Sequence, residues 1–472
     1  RDISSIAVIG PSADTPRLGS YSSSPYGFTP VTVLEGIRRL ASKDTVIRHV
    51  RGVDISPAEL KPIPTDWLKT PTGEPGLLGH YFANPEFAGE PLVRTDSQID
   101  FNWIATKPFQ ELGSTHFTVR WMGKLVPPRS FTVLLGISTY DSMRVWVDGD
   151  LVIDGWSAAR RGGATVEFAF AEGKEYDLRV EYLKDGGGAR VLLGWNQPVD
   201  EIADAVVAAG QSEVAVVCLG DSHETCGEGL DRVDLNLPGR QLDLLQAVYA
   251  TGTPVVLVLQ NGRALTLNWE AEHIPAIIEA WYVGEQGGLA IAEAIFGTFS
   301  PGGRLPVSFP KAVGQLPVYY NRQPGGRTTY VEMDWEPLFP FGFGLSYTEF
   351  RYSNLRVSPT KVGSSYPVTV HVDVTNIGSR TGDEVVQLYI RDLWSSVVRP
   401  HKELKRFQRV TINPGETKTV TFELYADDFK LFNREYQWVV EPGAFDIMVG
   451  PHANALELRA RIEITEGVAF DG

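Results

Sequence analysis

Cysteine is almost missing from this 472-residue chain, which carries only Cys218 and Cys226. Two thiols rule out a disulfide framework, and their spacing offers neither a Cys-x-x-Cys redox pair nor a zinc site. The compartment stays open on this ground, cytoplasmic or secreted. Long apolar runs are missing as well. None approaches the ~20 residues that span a bilayer, so a soluble chain with no membrane partner is expected. No signal peptide opens it, yet Arg1-Asp2-Ile3-Ser4-Ser5 leads directly into the strand-like Ile6-Ala7-Val8-Ile9-Gly10, as though the chain were cut from something longer. Positive charge is in deficit, with 43 Lys and Arg against 58 Asp and Glu and a formal charge of −15. Nucleic acid, whose phosphates demand a basic surface, is thereby excluded as a partner. Internal repeats and low-complexity tracts are absent too.

What is present belongs to a globular protein. Hydrophobic residues make up 43% and aromatic residues 11%, and the length suits about three domains of ~100–200 residues each. Eleven Trp and seventeen Tyr supply flat faces of the kind sugar sites use. For most of them the simpler reading is that they fill β-sandwich cores.

Four segments of different texture follow one another along the chain. Residues 1 to about 60 read as strand, Gly/Ser-rich loop, helix over 31–40 and strand over 45–49. Pro62, Pro64, Pro71, Gly73, Pro75 and Gly76 then mark a boundary. From Leu77 to about Trp195 short alternating strands (117–121, 131–137, 143–147, 176–182) separated by Gly and Asp turns predict a β-sandwich. The α/β texture returns near Asp200, with a helix over 202–210, a strand to Cys218, a helix from Gln241, a strand over 254–259 and a helix over 287–296. From Phe350 onward strict alternation over 366–375 and 417–423 predicts a fibronectin-like sandwich. The expected fold class is multidomain, α/β plus all-β. An α/β sandwich domain (1–65 and 200–349) is interrupted by an inserted β-sandwich (77–196) and followed by a fibronectin type III-like domain (350–472).

One loop stands out chemically. Cys226-Gly227-Glu228-Gly229-Leu230-Asp231-Arg232 follows the apolar strand ending at Gly220. A Glu between two glycines beyond a buried strand does little for stability, but it lets the backbone bring a carboxyl group close to a ligand. Glu228 is the candidate catalytic acid, and Glu224 is the second choice. Asp231 and Arg232 read as a structural pair fixing the loop, and His223 as a polar loop residue.

These residues, with others in order along nearly the whole chain, resemble the C-terminal part of glycoside hydrolase family 3, the β-glucosidase and β-xylosidase family. The resemblance is carried by the segment Ile6 through Asp14, Leu18-Gly19-Ser20-Tyr21, Val33-Leu34-Glu35-Gly36, the Glu228 loop with Leu237-Pro238, Gln260-Asn261-Gly262-Arg263, Ala280-Trp281, Gly287-Gly288, Pro301 through Pro306, and the run from Pro337 to Tyr347. Residues Gly79-His80-Tyr81-Phe82, Ile99-Asp100-Phe101, Arg120-Trp121, Val145 through Gly149, Ile153-Asp154 and Leu193-Gly194-Trp195 give the insertion a likeness to a protective-antigen-like sandwich. In family members that have it, such an insert reaches over the active site and shapes the leaving-group subsite.

The resemblance implies a retaining, exo-acting β-glycosidase, foremost a β-glucosidase, with Glu228 as acid/base and no metal or cofactor. It also implies a partner: the nucleophilic Asp belongs to a (β/α)8 barrel that this chain does not contain. The barrel, as a domain or a separate chain, and a β-linked glycoside or oligosaccharide are the expected partners, and a homo-oligomer is left open. Met333-Asp334-Trp335 resembles the family's Ser-Asp-Trp nucleophile motif, but it lies just before the exit of the α/β domain and reads as coincidence. A β-xylosidase, a hydrolase of glycosides with larger aglycones, and a noncatalytic carbohydrate-binding assembly are the rivals. Asp221-Ser222 suggests an esterase only weakly, and without G-x-G-x-x-G a dinucleotide loop has little support. On the insert, Phe101, Trp103, Tyr140 and Trp156 are candidate sugar or aglycone platforms, with core packing as the alternative.

Overall fold

A computed structural model describes residues 3–19, 21–22, 30–55, 60–103, 107–113, 116–139, 141–156, 163–185, 190–196, 200–325, 329–363 and 366–470. Tyr140 lies outside these residues. The chain forms two compact units, one of residues 1–53 with 201–472, the other of residues 54–200.

The first unit is built on a five-stranded sheet in which every pair is parallel. Strands Ser5–Ile9 and Val214–Gly220 lie at its centre, Val46–Val50 at one edge, and Val255–Gln260 then Ala276–Glu279 toward the other. Alternation sorts the side chains. Ile6, Val8, Val216, Cys218 and Val258 pack on one face with Val33, Leu34, Ile37 and Ile291. Ala7, Ile9, Val217, Leu219, Leu257 and Leu259 pack on the other with Ala205, Ala209, Leu244 and Val248. A strand covered on both faces has to be apolar throughout, hence the near-continuous run from Val214 to Leu219.

Numbered along the chain, the strands lie in the order 2-1-3-4-5. The direction of growth reverses between Ser5–Ile9 and Val214–Gly220, and the crevice beyond the carboxyl ends of two such strands is where open α/β sheets bind ligands. Both strands end on glycine. A side chain at Gly10 would sit 2.2 Å from the Cys218 carbonyl oxygen, and one at Gly220 2.1 Å from that of Gln260. Their φ angles of +115° and +138° also suit glycine alone.

The same unit carries the fibronectin-like domain, with one sheet of five strands and two of three among the described residues. In its strand Val368–Asn376, Val368, Val370, Val372 and Val374 are fully buried while the residues between face outward. The Arg304–Glu384 ion pair, 3.0 Å long and with both side chains at or below 9% exposure, ties this domain to the exit of the α/β part.

The second unit consists of two antiparallel sheets around one aromatic core. Short strands Lys61–Pro62 and Leu68–Lys69 pair into these sheets. The first boundary therefore falls before the Pro/Gly-rich stretch and not within it, because part of that stretch contributes sandwich strands. The residues flanking this unit meet directly, Glu201 N donating to the Gly52 carbonyl at 2.8 Å.

Candidate active site

Glu228 stands on the loop that leaves the central strand Val214–Gly220, at the switch point. It occupies the second position of a β-turn closed by Leu230 N donating to the Gly227 carbonyl at 3.2 Å. Gly229, at the third position, has φ +72°. A type II turn requires such an angle there, which accounts for the Glu-Gly order. The Glu228 side chain is exposed. Its carboxylate accepts a hydrogen bond from the Tyr21 hydroxyl, carried by the loop after the other central strand. Two loops from the two strands flanking the switch point thus meet at one carboxyl group.

The loop is fixed from below. Gln241, fully buried at the head of helix Gln241–Tyr249, accepts from Gly220 N and donates to the Gly220 and Pro238 carbonyls, each at 2.9 Å. Asp221 is fully buried, pairs with Arg232 at 3.2 Å, lies 3.8 Å from the Arg263 guanidinium, and accepts from the Thr225 hydroxyl at 3.1 Å. Burial pushes its carboxyl up, while Arg232, Thr225 and Arg263 draw it back. Nη2 of Arg263 donates to the carbonyls of Thr225 and Leu230, both at 3.0 Å. Arg232 therefore serves the loop through Asp221 and the Asn236 carbonyl (2.7 Å), and the expected pairing with Asp231 gives way to these partners. Asp231 is exposed, and the fully buried Asp221 offers the stronger field.

Glu279 sits at the end of the outer strand Ala276–Glu279. It accepts from Trp281 N at 3.0 Å and from Asn261 Nδ2 at 3.3 Å. Burial pushes its carboxyl up to about 8, against these two hydrogen bonds and helped by the charge of Asp221. Cys226 is buried and outside any disulfide, and a side chain at Gly262 would meet its sulfur and the Tyr282 ring, both at 2.7 Å.

Of the other candidates, Glu224 is part-buried on the same loop, its backbone N–H held by the Ser222 hydroxyl at 3.2 Å. His223 is exposed, and Ser222 is fully buried in a turn, away from any esterase geometry. Asp334 is exposed, paired with Lys311 at 2.8 Å, and accepts from Glu336 N at 2.9 Å, which hold its carboxyl below the usual range. On the insert, Phe101 and Trp103 stack at 4.7 Å between centroids within the core, so packing accounts for both. Trp156 is part-buried, with Arg144 4.8 Å over its ring. Among the described residues no three His, Cys, Asp or Glu side chains gather as a metal-binding group, and no helix is long and apolar enough to cross a membrane.

Residues 1–347 match the glycosyl hydrolase family 3 C-terminal domain. The chain belongs to glycosyl hydrolase family 3. Residues 384–453 match the fibronectin type III-like domain. A relative, the β-glucosidase of Rhizobium radiobacter, is 33% identical over 496 residues, covering 97% of this chain and 59% of its own length. A β-xylosidase of Formosa agariphila is 49% identical over 260 residues, 54% of this chain and 36% of its own length. The crystal structure of a β-glucosidase from Kluyveromyces marxianus in complex with glucose superposes with a TM-score of 0.78 at 27% identity, over 100% of this chain and 60% of that one. The chain thus spans between about a third and three fifths of the length of these relatives.

Tyr21, Gln241, Arg263 and Glu279 escaped the sequence reading as parts of the site. Tyr21 and Arg263 stood in family-like motifs, Leu18 to Tyr21 and Gln260 to Arg263, without a role. Strand order alone would have pointed to them, since both follow strands at or beside the switch point.

Proposed function

We propose that this chain supplies the general acid/base of a retaining β-glycosidase, foremost a β-glucosidase, with Glu228 as that group. The nucleophilic Asp lies on a barrel that belongs to the remainder of such an enzyme. The observation that carries the proposal is the placement of an exposed, turn-borne carboxyl group at the switch point, on a loop clamped by buried ion pairs. Family membership and the relatives' names support it, as does the 60% share of the Kluyveromyces enzyme that the chain covers.

In the first step Glu228 gives its proton to the glycosidic oxygen as the C1–O bond breaks and the Asp carboxylate bonds to C1. In the second, Glu228 takes a proton from water as the water oxygen bonds to C1 and the Asp–C1 bond breaks. The two carboxyl groups of a retaining enzyme stand about 5–5.5 Å apart, so the barrel has to present its Asp across the sugar from Glu228. Such an acid needs desolvation to hold its proton near neutral pH. Glu228 is exposed in this chain, and the barrel and substrate complete its cover.

A β-xylosidase is the second reading, favoured by the 49% identity to the Formosa enzyme. Relative kcat/KM on aryl β-glucosides and β-xylosides decides between them. The proposal is tested by assaying the purified chain alone and then with its barrel. Turnover is expected only in the combination. Robust turnover by the chain alone, abolished by Asp334→Asn, would overturn both the need for a barrel and the reading of Met333-Asp334-Trp335 as coincidence.

A further inference from the structure

We propose that Arg263 is the positioning residue of the acid/base. This rests on the reading of Glu228 given above and deepens it. The turn that presents Glu228 is a short excursion between Thr225 and Leu230. One guanidinium nitrogen of Arg263 donates to the carbonyls at both ends of it, each at 3.0 Å. The excursion is therefore pinned at its two feet by a single group, alongside its own 3.2 Å turn bond, the 3.0 Å bond from Cys226 N to the Ser222 carbonyl and the Tyr21 hydroxyl on the Glu228 carboxylate.

The guanidinium is itself held. It lies 3.8 Å from the fully buried Asp221 carboxylate. Its backbone carbonyl accepts from Asn261 Nδ2 at 2.8 Å, and the same amide reaches Glu279 at 3.3 Å. The Arg263 side chain is 21% exposed, so the pinning bonds are largely sheltered from water. Gly229 carries no side chain and has open space where one would begin, so packing at the third turn position does not hold Glu228 in place. A carboxyl group must sit within hydrogen-bond reach of the leaving oxygen to protonate it, and displacement by an ångström costs about 100-fold in rate.

The variants are Arg263→Gln, which removes the charge and one of the two reaches, and Arg263→Lys, which keeps a cation beside Asp221. They are made in the complete enzyme, chain plus barrel, together with Glu228→Ala and the Arg263→Gln/Glu228→Ala double variant. For an alkyl β-glucoside, whose leaving group needs a proton, kcat/KM of Arg263→Gln is expected to fall about 10–100-fold, with Arg263→Lys in between. For a 2,4-dinitrophenyl β-glucoside, whose leaving group needs none, the first step is expected to stay within about threefold. In the Glu228→Ala background the Arg263 substitution is expected to add little, because the group it positions is gone. If Arg263→Gln costs the same on both substrates, or adds its full loss on top of Glu228→Ala, the positioning role is overturned. If wild type is active and Glu228→Ala loses nothing on the alkyl glucoside, the assignment of Glu228 itself fails, a different outcome from the first two. Amide exchange in the Val255–Gln260 strand, expected unchanged, separates a displaced loop from a damaged core.

Discussion

Replacing Gln241 by Leu should cost the first unit about 1–5 kcal/mol. The Gln241 side chain is fully buried and spends three hydrogen bonds of 2.9 Å on backbone: one from Gly220 N, one to the Gly220 carbonyl and one to the Pro238 carbonyl. Leu fills a similar volume but leaves the N–H and C=O of Gly220 without these partners, at the end of a strand covered on both faces. Each orphaned buried group costs ~1–3 kcal/mol, so two of them cost ~2–6, and about 1 kcal/mol returns from the apolar replacement. The loss should be local as well as global, since Gly220 is where the Glu228 loop begins. Amide exchange read at Gly220 and Asp221, alongside the urea midpoint of the α/β transition, measures both. A variant within ~0.5 kcal/mol of wild type with unchanged protection at Gly220 would refute the assignment of Gln241 as the anchor of the loop.

Three further outcomes follow from buried charge and from chain path. Glu279 holds its proton up to about 8 in the fold, whereas the unfolded chain releases it near the ordinary Glu value of ~4.3. The native state therefore binds more protons across that window, its contribution to stability is whole below it, and stability falls as pH rises toward 8. Glu279→Gln should flatten that decline and be the more stable protein at pH 8 by up to a few kcal/mol, while matching wild type near pH 4; denaturant titrations at the two pH values check it. Arg304→Met should destabilise by about 3–5 kcal/mol, because Glu384, at 3% exposure, would be left buried and uncompensated; a urea melt followed by intrinsic fluorescence reads the loss. Excising residues 54–200 and joining Val53 to Glu201 by a short Gly/Ser link should leave a first unit that melts cooperatively by circular dichroism, because its flanks already meet through the 2.8 Å bond from Glu201 N to Gly52 O.

The order of elements in the first unit was legible because its central strands are apolar on both faces and its first helix carries its own cap. Thr32 accepts from Glu35 N at 3.2 Å at the start of helix Val33–Leu40, close to the expected 31–40. The six-residue helix Asn268–His273 and the four-residue strand Ala276–Glu279 were not legible. Both are too short to show a period, and Pro275 between them reads as a loop. Glu228 could be singled out because a Glu-Gly turn beyond a buried strand makes little sense as packing. Its partners could not, for a different reason. Tyr21 and Glu228 lie 207 positions apart, and Asp221 reaches Arg263 across another strand, so only the parallel pairing of the sheet brings them together. Arg232 shows the limit of local reasoning, since a neighbour in sequence, Asp231, lost to Asp221, eleven positions away and fully buried.

Azide rescue of Glu228→Ala, in the enzyme assembled from this chain and its barrel, probes the acid/base role most directly. With a 2,4-dinitrophenyl β-glucoside the variant should still form the glycosyl-enzyme but release it slowly, and added azide should restore turnover and yield the β-glycosyl azide, while alkyl glucosides should lose about 100- to 10,000-fold. Equal losses on both substrates, with no acceleration by azide and no azide adduct, would contradict the assignment of Glu228.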